Sequence, residues 1–192
     1  MSRDAVLAAA KQHFAASGYE KTTLRAVARD AQVDPSMVLY LFGSKEGLFR
    51  AAMQLIVDPQ RLVEAITDGD EAGLGTRLVR AYLDIWDNPD TGASMVAMVS
   101  SATSNAHANQ AFREFMREYV LTVVSGALGG GPDTQLRAVL AASNLIGAVF
   151  LRYIMRVGPL AEVSTDEVVR MIAPTVQRYL TADAEELGLP PV

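Results

Sequence analysis

The sequence contains no cysteine, which excludes a disulfide framework, thiolate-ligated metal and a cysteine nucleophile. Histidine occurs only at His13 and His107, leaving few groups for metal ligation or acid–base chemistry near neutral pH. Lysine is confined to Lys11, Lys21 and Lys45, and Trp86 is the single tryptophan. The longest apolar run, Ala138 to Leu151, includes Ser143 and Asn144 and falls short of the roughly 20 residues a membrane-spanning helix needs. Six apolar residues follow Met1-Ser2-Arg3-Asp4 before Lys11, too few for a secretory core region. These absences lead us to expect a soluble, cytoplasmic protein with no membrane partner.

What is present suits a folded chain. Half of the 192 residues are hydrophobic and 20% are charged, a balance that supports a sizeable core and excludes disorder as the main state. The net charge of −5 hides an asymmetry. Residues 1–50 carry seven Lys/Arg against five acids, a net +2, while the remainder carries ten against seventeen, a net −7. A weakly basic head on an acidic body suits a small anion-binding module on a larger support.

Hydrophobic spacing predicts helices throughout, so the expected fold class is all-α. Val6, Leu7, Ala10 and Phe14 mark a helix from Ser2 to about Ser17, stopped by Gly18. A second segment runs from about Thr23 to Ala31. A third opens at Asp34-Pro35, where Asp is a strong N-cap and Pro is favoured at the first helical position. Ser44 caps a fourth, from Lys45 to about Val57. Longer helices are expected at about 60–67, 71–87, 91–104, 107–128, 133–157 and 164–181, separated by Gly, Pro, Asn and Asp clusters. Ser164-Thr165-Asp166-Glu167 has the form of a capping box, and Pro174 lies inside the helix that follows.

Two short helices joined by Gln32-Val33 have the size and turn of a helix-turn-helix, in which the second helix reads the major groove. Thr22 and Thr23 offer hydroxyls and helix-start N–H groups to phosphate. Arg25 can pair with phosphate or reach guanine. Tyr40 and Lys45 flank the far end of the second helix, where they can grip the sugar-phosphate chain. Val27, Ala31, Val33, Val38 and Phe42 form the expected apolar seam.

Residues 6–49 resemble the DNA-binding segment of the TetR family of transcriptional regulators. The resemblance is carried by Val6, Ala10, Phe14, Gly18-Tyr19, Thr22-Thr23-Leu24-Arg25-Ala26-Val27-Ala28, Ala31-Gln32-Val33-Asp34 and Phe42-Gly43-Ser44-Lys45-Glu46-Gly47-Leu48-Phe49. It implies a DNA-binding head, residues 1–48, followed by a ligand-sensing and dimerisation domain, residues 49–192. It also implies phosphate contacts from Thr23, Tyr40 and Lys45, a base-edge position for Arg25, and groove-facing positions for Pro35, Ser36 and Met37. Two positions depart from the family's pattern. Gln32 stands where glycine is usual and must take a left-handed conformation or bend the turn differently. Leu39 stands where tyrosine is more common.

In the body, Trp86, Met95, Met98, Phe112, Phe115, Met116 and Tyr119 form an aromatic and methionine-rich candidate set for an apolar or amphipathic effector, since methionine adapts to irregular shapes. Ordinary core packing is the commoner account of any single one of them. The helix from about Gln135 to Val157 is apolar on most faces and must be covered on all sides, which points to a second copy of the chain. Leu145, Ala148, Val149 and Arg152, with Val168, Ile172 and Val176 from the last helix, are the candidate interface of a two-fold homodimer. Two heads would then meet a palindromic double-stranded DNA operator. The expected function is a repressor released from that operator by its ligand.

A second reading is a dimeric helical ligand-binding protein with a degenerate head, to which Gln32 and Leu39 lend weight. An enzyme is disfavoured. Neither histidine pairs with a nucleophile motif, and Gly129-Gly130-Gly131 lacks the Lys-Ser/Thr of a phosphate loop. No catalytic residue, metal or cofactor is therefore expected.

Overall fold

The computed structural model describes residues 2–190, and among them there are helices and no strand. In chain order these are α1 (Ser2–Lys21), α2 (Leu24–Asp30), α3 (Pro35–Phe42), α4 (Lys45–Gln54), α5 (Pro59–Thr67), α6 (Leu74–Asp87), α7 (Gly92–Ser104), α8 (Ala106–Phe115), α9 (Thr122–Ala127), α10 (Thr134–Val149) and α11 (Thr165–Thr181). A short 3₁₀ turn, Glu71–Gly73, precedes α6. Two π-helical turns, Met116–Leu121 and Phe150–Ile154, interrupt what hydrophobic spacing predicts as unbroken helices. In the second, Met155 N–H donates to the Phe150 carbonyl five residues back, at 2.8 Å. The chain divides into two compact units, Met1–Asp58 with Asp87–Arg117, and Pro59–Trp86 with Glu118–Val192.

The first unit is organised around a break in α1. Gly18 takes φ 70°, a left-handed value suited to glycine, so the predicted stop is a real change of direction, although helical residues resume to Lys21. The backbone groups freed by the break are satisfied locally. Thr22 Oγ1 donates to the Gly18 carbonyl at 2.8 Å, and Tyr19 N–H donates to Ser101 Oγ on α7 at 3.0 Å. Beyond the break the Tyr19 ring lies edge-on to Phe49, 5.2 Å between centroids, and stacks on Phe14 at 6.1 Å. Phe14 and Phe49 are fully buried with Val6, Val27 and Leu48. α7 packs on α1 and α8 packs on α4, so this unit holds two helices from far along the sequence.

Helix starts are set by side-chain caps. Thr23, Asp34, Ser44 and Ser164 each accept a backbone N–H in the first turn of α2, α3, α4 and α11. At Ser164 the expected capping box is complete, because Glu167 also accepts the Ser164 N–H at 2.8 Å. Pro174 is accommodated within α11.

In the second unit α10 packs along α11 and α5 packs on α9. Arg137, buried on α10, is held by Asp133 at 2.6 Å and donates to the carbonyls of Tyr179 and Ala182. A cation there satisfies carbonyls that the end of α11 leaves open and opposes its negative dipole end. Gln177 ties α11 to the start of α6: its Oε1 accepts from Gly75 N–H at 2.6 Å and its Nε2 donates to the Glu71 carbonyl at 2.7 Å. Gly75 is buried so closely that a Cβ there would stand 2.6 Å from the Ala173 carbonyl oxygen and 2.8 Å from the Gln177 backbone nitrogen. Gly75→Ala must therefore push α6 off α11 backbone, and we expect a loss of about 1–3 kcal/mol in urea unfolding. An unchanged midpoint would show that the two helices have room to separate.

Candidate nucleic-acid interface

The turn between α2 and α3 is built by backbone geometry. Gln32 N–H donates to the Arg29 carbonyl at 3.1 Å and Val33 N–H to the Ala28 carbonyl at 2.9 Å. This pair of reversed bonds is a Schellman closure, which needs a left-handed residue at its C′ position. Gln32 fills it with φ 55°. The strained alternative foreseen for this position is the one adopted, and the turn keeps the ordinary helix-turn-helix course despite the missing glycine. Across the turn, Val27 and Val38 are buried, while Ala31, Val33 and Phe42 are half-buried.

α3 leaves the turn with an exposed outer face. Pro35, Ser36, Met37, Leu39 and Tyr40 are all exposed, Tyr40 at 84%. Val38 alone among the α3 side chains is buried. Asp34 Oδ1 accepts both Ser36 N–H at 2.8 Å and Ser36 Oγ–H at 2.6 Å. Those bonds, the side-chain one foremost, hold the Asp34 carboxyl below its ordinary range, so it is ionised at neutral pH. Arg25 is exposed on α2 and Thr23 is exposed at its cap, its hydroxyl accepting Ala26 N–H at 3.2 Å.

Two expected phosphate ligands sit differently. Thr22 is buried, its hydroxyl spent on Gly18, so it offers nothing to a phosphate. Periodicity could not separate it from Thr23, because its orientation follows from the break at Gly18. Lys45 is half-buried: its ammonium lies 4.4 Å above the Tyr19 ring and donates to the Glu20 carbonyl at 3.2 Å. Burial is the main cause that lowers its pKa.

Sequence reasoning missed the support behind Lys45. Tyr19 Oη donates to Glu46 Oε1 at 2.9 Å, and burial, followed by the Glu46 carboxylate, pushes the Tyr19 phenol upward. Hydrogen bonds from its own backbone N–H and then from Ser44 hold the Glu46 carboxyl low. His107 Nδ1 on α8 lies 3.3 Å from the same Glu46 oxygen, and Asn105 Nδ2 donates to Glu20 at 2.5 Å. Arg50 pairs with Glu114 of α8 at 2.5 Å. Arg3 on α1 stands 5.4 Å over the Phe42 ring at the end of α3. These are non-local pairings, and no sequence spacing signals them.

Residues 6–52 match the model described as bacterial regulatory proteins, tetR family, and residues 72–180 match that described as tetracyclin repressor-like, C-terminal domain. The chain belongs to the TetR family. A TetR-family regulator from Streptomyces coelicolor is 36% identical over 93% of this chain and 94% of its own, with a TM-score of 0.69. More distant structures share the fold. A transcriptional regulator from Rhodococcus is 23% identical over 94% of this chain and 96% of its own, TM-score 0.63. NalD, the secondary repressor of the MexAB-OprM multidrug efflux pump in Pseudomonas aeruginosa, is 16% identical over 95% and 96%, TM-score 0.65. No curated protein matches the chain. As a TetR-family member it is a DNA-binding transcriptional regulator with a helix-turn-helix.

The candidate effector residues of this TetR-family chain divide between the units. Met95, Met98 and Phe115 are buried and Phe112 and Met116 half-buried in the first. In the second, Tyr119 is half-buried and Trp86 is buried, stacked on Tyr153 at 5.5 Å and angled to Tyr82 at 6.2 Å. The candidate dimer residues face inward. Leu145, Ala148, Val149, Val168 and Val176 are buried within one chain, Ile172 is half-buried, and Arg152 donates to the Leu160 and Val163 carbonyls at 2.7 Å. They pack within the second unit, and a different face of α10 and of the π-helical turn after it stays outward. That face carries Leu136, Val139, Ser143, Gly147 and Leu151, all exposed. A helix apolar all round does not announce which side its own chain covers.

A left-handed non-glycine residue is strained by about 1–2 kcal/mol, offset in part by the unfolded-state entropy of glycine. Gln32→Gly should raise stability by roughly 0.5–1 kcal/mol in chemical unfolding; a loss would mean that the Gln32 side chain contributes a stabilising contact.

Proposed function

We propose that the chain is a homodimeric repressor that holds a palindromic operator through residues 1–48 and is released when residues 49–192 take up a small apolar or amphipathic molecule. It acts in the cytoplasm and needs neither metal nor cofactor. The observation that carries the reading is the pairing of an exposed α3 with an exposed apolar face along α10 and the turn after it. Residues Thr134–Ile154 form 21 helical residues of high hydropathy of which little is buried, long and apolar enough by composition to cross a bilayer. Membership of the TetR family, the outward Leu136, Val139 and Leu151, and an open approach at Gly147 favour a second copy as its cover. Two-fold pairing there gives two heads, which is the symmetry a palindrome matches.

Thr23, Arg25, Tyr40 and Lys45 supply the phosphate-directed contacts in this reading, with Lys45 leaving the Tyr19 ring to do so. Pro35, Ser36 and Met37 face the groove. Release by a ligand follows from linkage: a molecule that binds better to a conformer with the wrong head separation must lower operator affinity by the same factor.

Selection of bound duplexes from a random pool tests the DNA reading. We expect an enriched palindrome whose affinity falls steeply with salt as counterions are released. Lys45→Ala should weaken all sequences alike and lower the magnitude of the log–log salt slope by about 1; no enrichment and a flat slope would favour a degenerate head instead. For the dimer, Val139→Asp should convert the protein to a monomer in sedimentation equilibrium while leaving its helical content intact. A Val139→Asp protein that stays dimeric would place the interface elsewhere.

A further inference from the structure

The first turn of α3 has no free hydrogen-bond donor. Pro35 has no N–H. Ser36 N–H and Ser36 Oγ–H are both given to Asp34 Oδ1, at 2.8 and 2.6 Å, and Met37 N–H donates to the Asp34 carbonyl at 2.9 Å. Asp34 is a carboxylate and can only accept. What the turn presents outward is therefore one kind of group: the lone pairs of Ser36 Oγ and the second oxygen of Asp34, beside the apolar surfaces of Pro35 and Met37. The rest of the helix, Val38-Leu39-Tyr40-Leu41-Phe42, adds no basic or amide side chain.

A serine hydroxyl is ordinarily ambiguous in the major groove, because it can donate to a keto oxygen or accept from an amino group. Here its proton is committed to a neighbouring carboxylate, and that removes the ambiguity. The same negative turn is a poor neighbour for a phosphate, so it belongs over base edges. We infer that Ser36 is a specificity-determining residue that acts only as an acceptor, selecting an amino-bearing base, adenine or cytosine, at one position of each half-site and rejecting guanine or thymine on that strand. Adenine offers N6–H₂ and cytosine N4–H₂ at the place where guanine and thymine present O6 and O4. A keto oxygen facing Ser36 Oγ would set acceptor against acceptor, with no donor within the turn to relieve it. Asp34 is a positioning residue in this scheme, acting through Ser36. Guanine readout is left to Arg25 on α2.

The inference rests on the proposed DNA binding, and the experiment separates the two. Duplex selection with the full-length protein should return a half-site with one position confined to A or C. Ser36→Ala should lose the restriction at that position alone, and Ser36→Thr, which keeps the acceptor, should retain it. On the unmodified protein, replacing the selected adenine by purine, or the selected cytosine by pyrimidin-2-one, deletes only the amino group. That should weaken binding roughly tenfold, as expected for one lost hydrogen bond in a desolvated site, and should leave Ser36→Ala unaffected. The base-analogue arm on wild-type protein depends on no variant folding. An enriched palindrome that carries G or T at the position sensitive to Ser36, or an equal analogue penalty in wild type and Ser36→Ala, overturns the inference and leaves DNA binding standing. No enriched duplex and no salt dependence would overturn both.

Discussion

Tyr19 is the residue on which the first unit depends. Its N–H holds α7 through Ser101, its ring packs between Phe14 and Phe49, its hydroxyl holds Glu46 on α4, and its face carries the Lys45 ammonium. All four bonds require the chain to turn at Gly18, since an unbroken α1 would carry Tyr19 past them. The desolvated phenol stays protonated and so remains a donor to an ionised Glu46. One residue thereby fixes where α2 and α3 leave the rest of the unit. The same residue sets where the phosphate-directed lysine waits.

The head separates two tasks by chemistry. Positive charge lies outside the recognition helix, at Arg25, Lys45 and Arg3, whereas α3 itself is uncharged from Pro35 to Phe42 and is preceded by an anion. Electrostatic attraction to the backbone and discrimination among bases then reside in different elements. A recognition helix with no cation is a weak anchor but a selective one, because an apolar or acceptor group gains little from a mismatched edge. The strain at Gln32 belongs to the same economy: the turn geometry is kept although the residue there is not glycine.

Local features were legible in the sequence and remote ones were not. Asp34, Ser44 and Ser164 could be read as caps because a cap bonds within its own first turn. At Gln32 the resemblance, with its usual glycine, left two courses open, and the left-handed one is the one taken. The outward positions of Pro35, Ser36, Met37 and Tyr40 were what the family resemblance implied, and all four are exposed. By contrast, the inward turn of Thr22 and the withdrawal of Lys45 onto Tyr19 depend on the Gly18 break and on packing. The pairing of α7 and α8 with α1 and α4 joins residues more than fifty positions apart. The face of α10 that its own chain covers was hidden for another reason: when Leu136, Val139, Leu145 and Val149 are equally apolar, only the position of α11 distinguishes them.

The single tryptophan acquires a particular value from its surroundings. Trp86 is buried in the second unit, stacked on Tyr153 and beside Tyr82, and no other indole exists in the chain. Its emission reports one environment, with no background from the helix-turn-helix. A change in the colour or intensity of tryptophan emission therefore assigns itself to the second unit, and events confined to α2 and α3 are silent in that signal. The molecule carries its own labelled half.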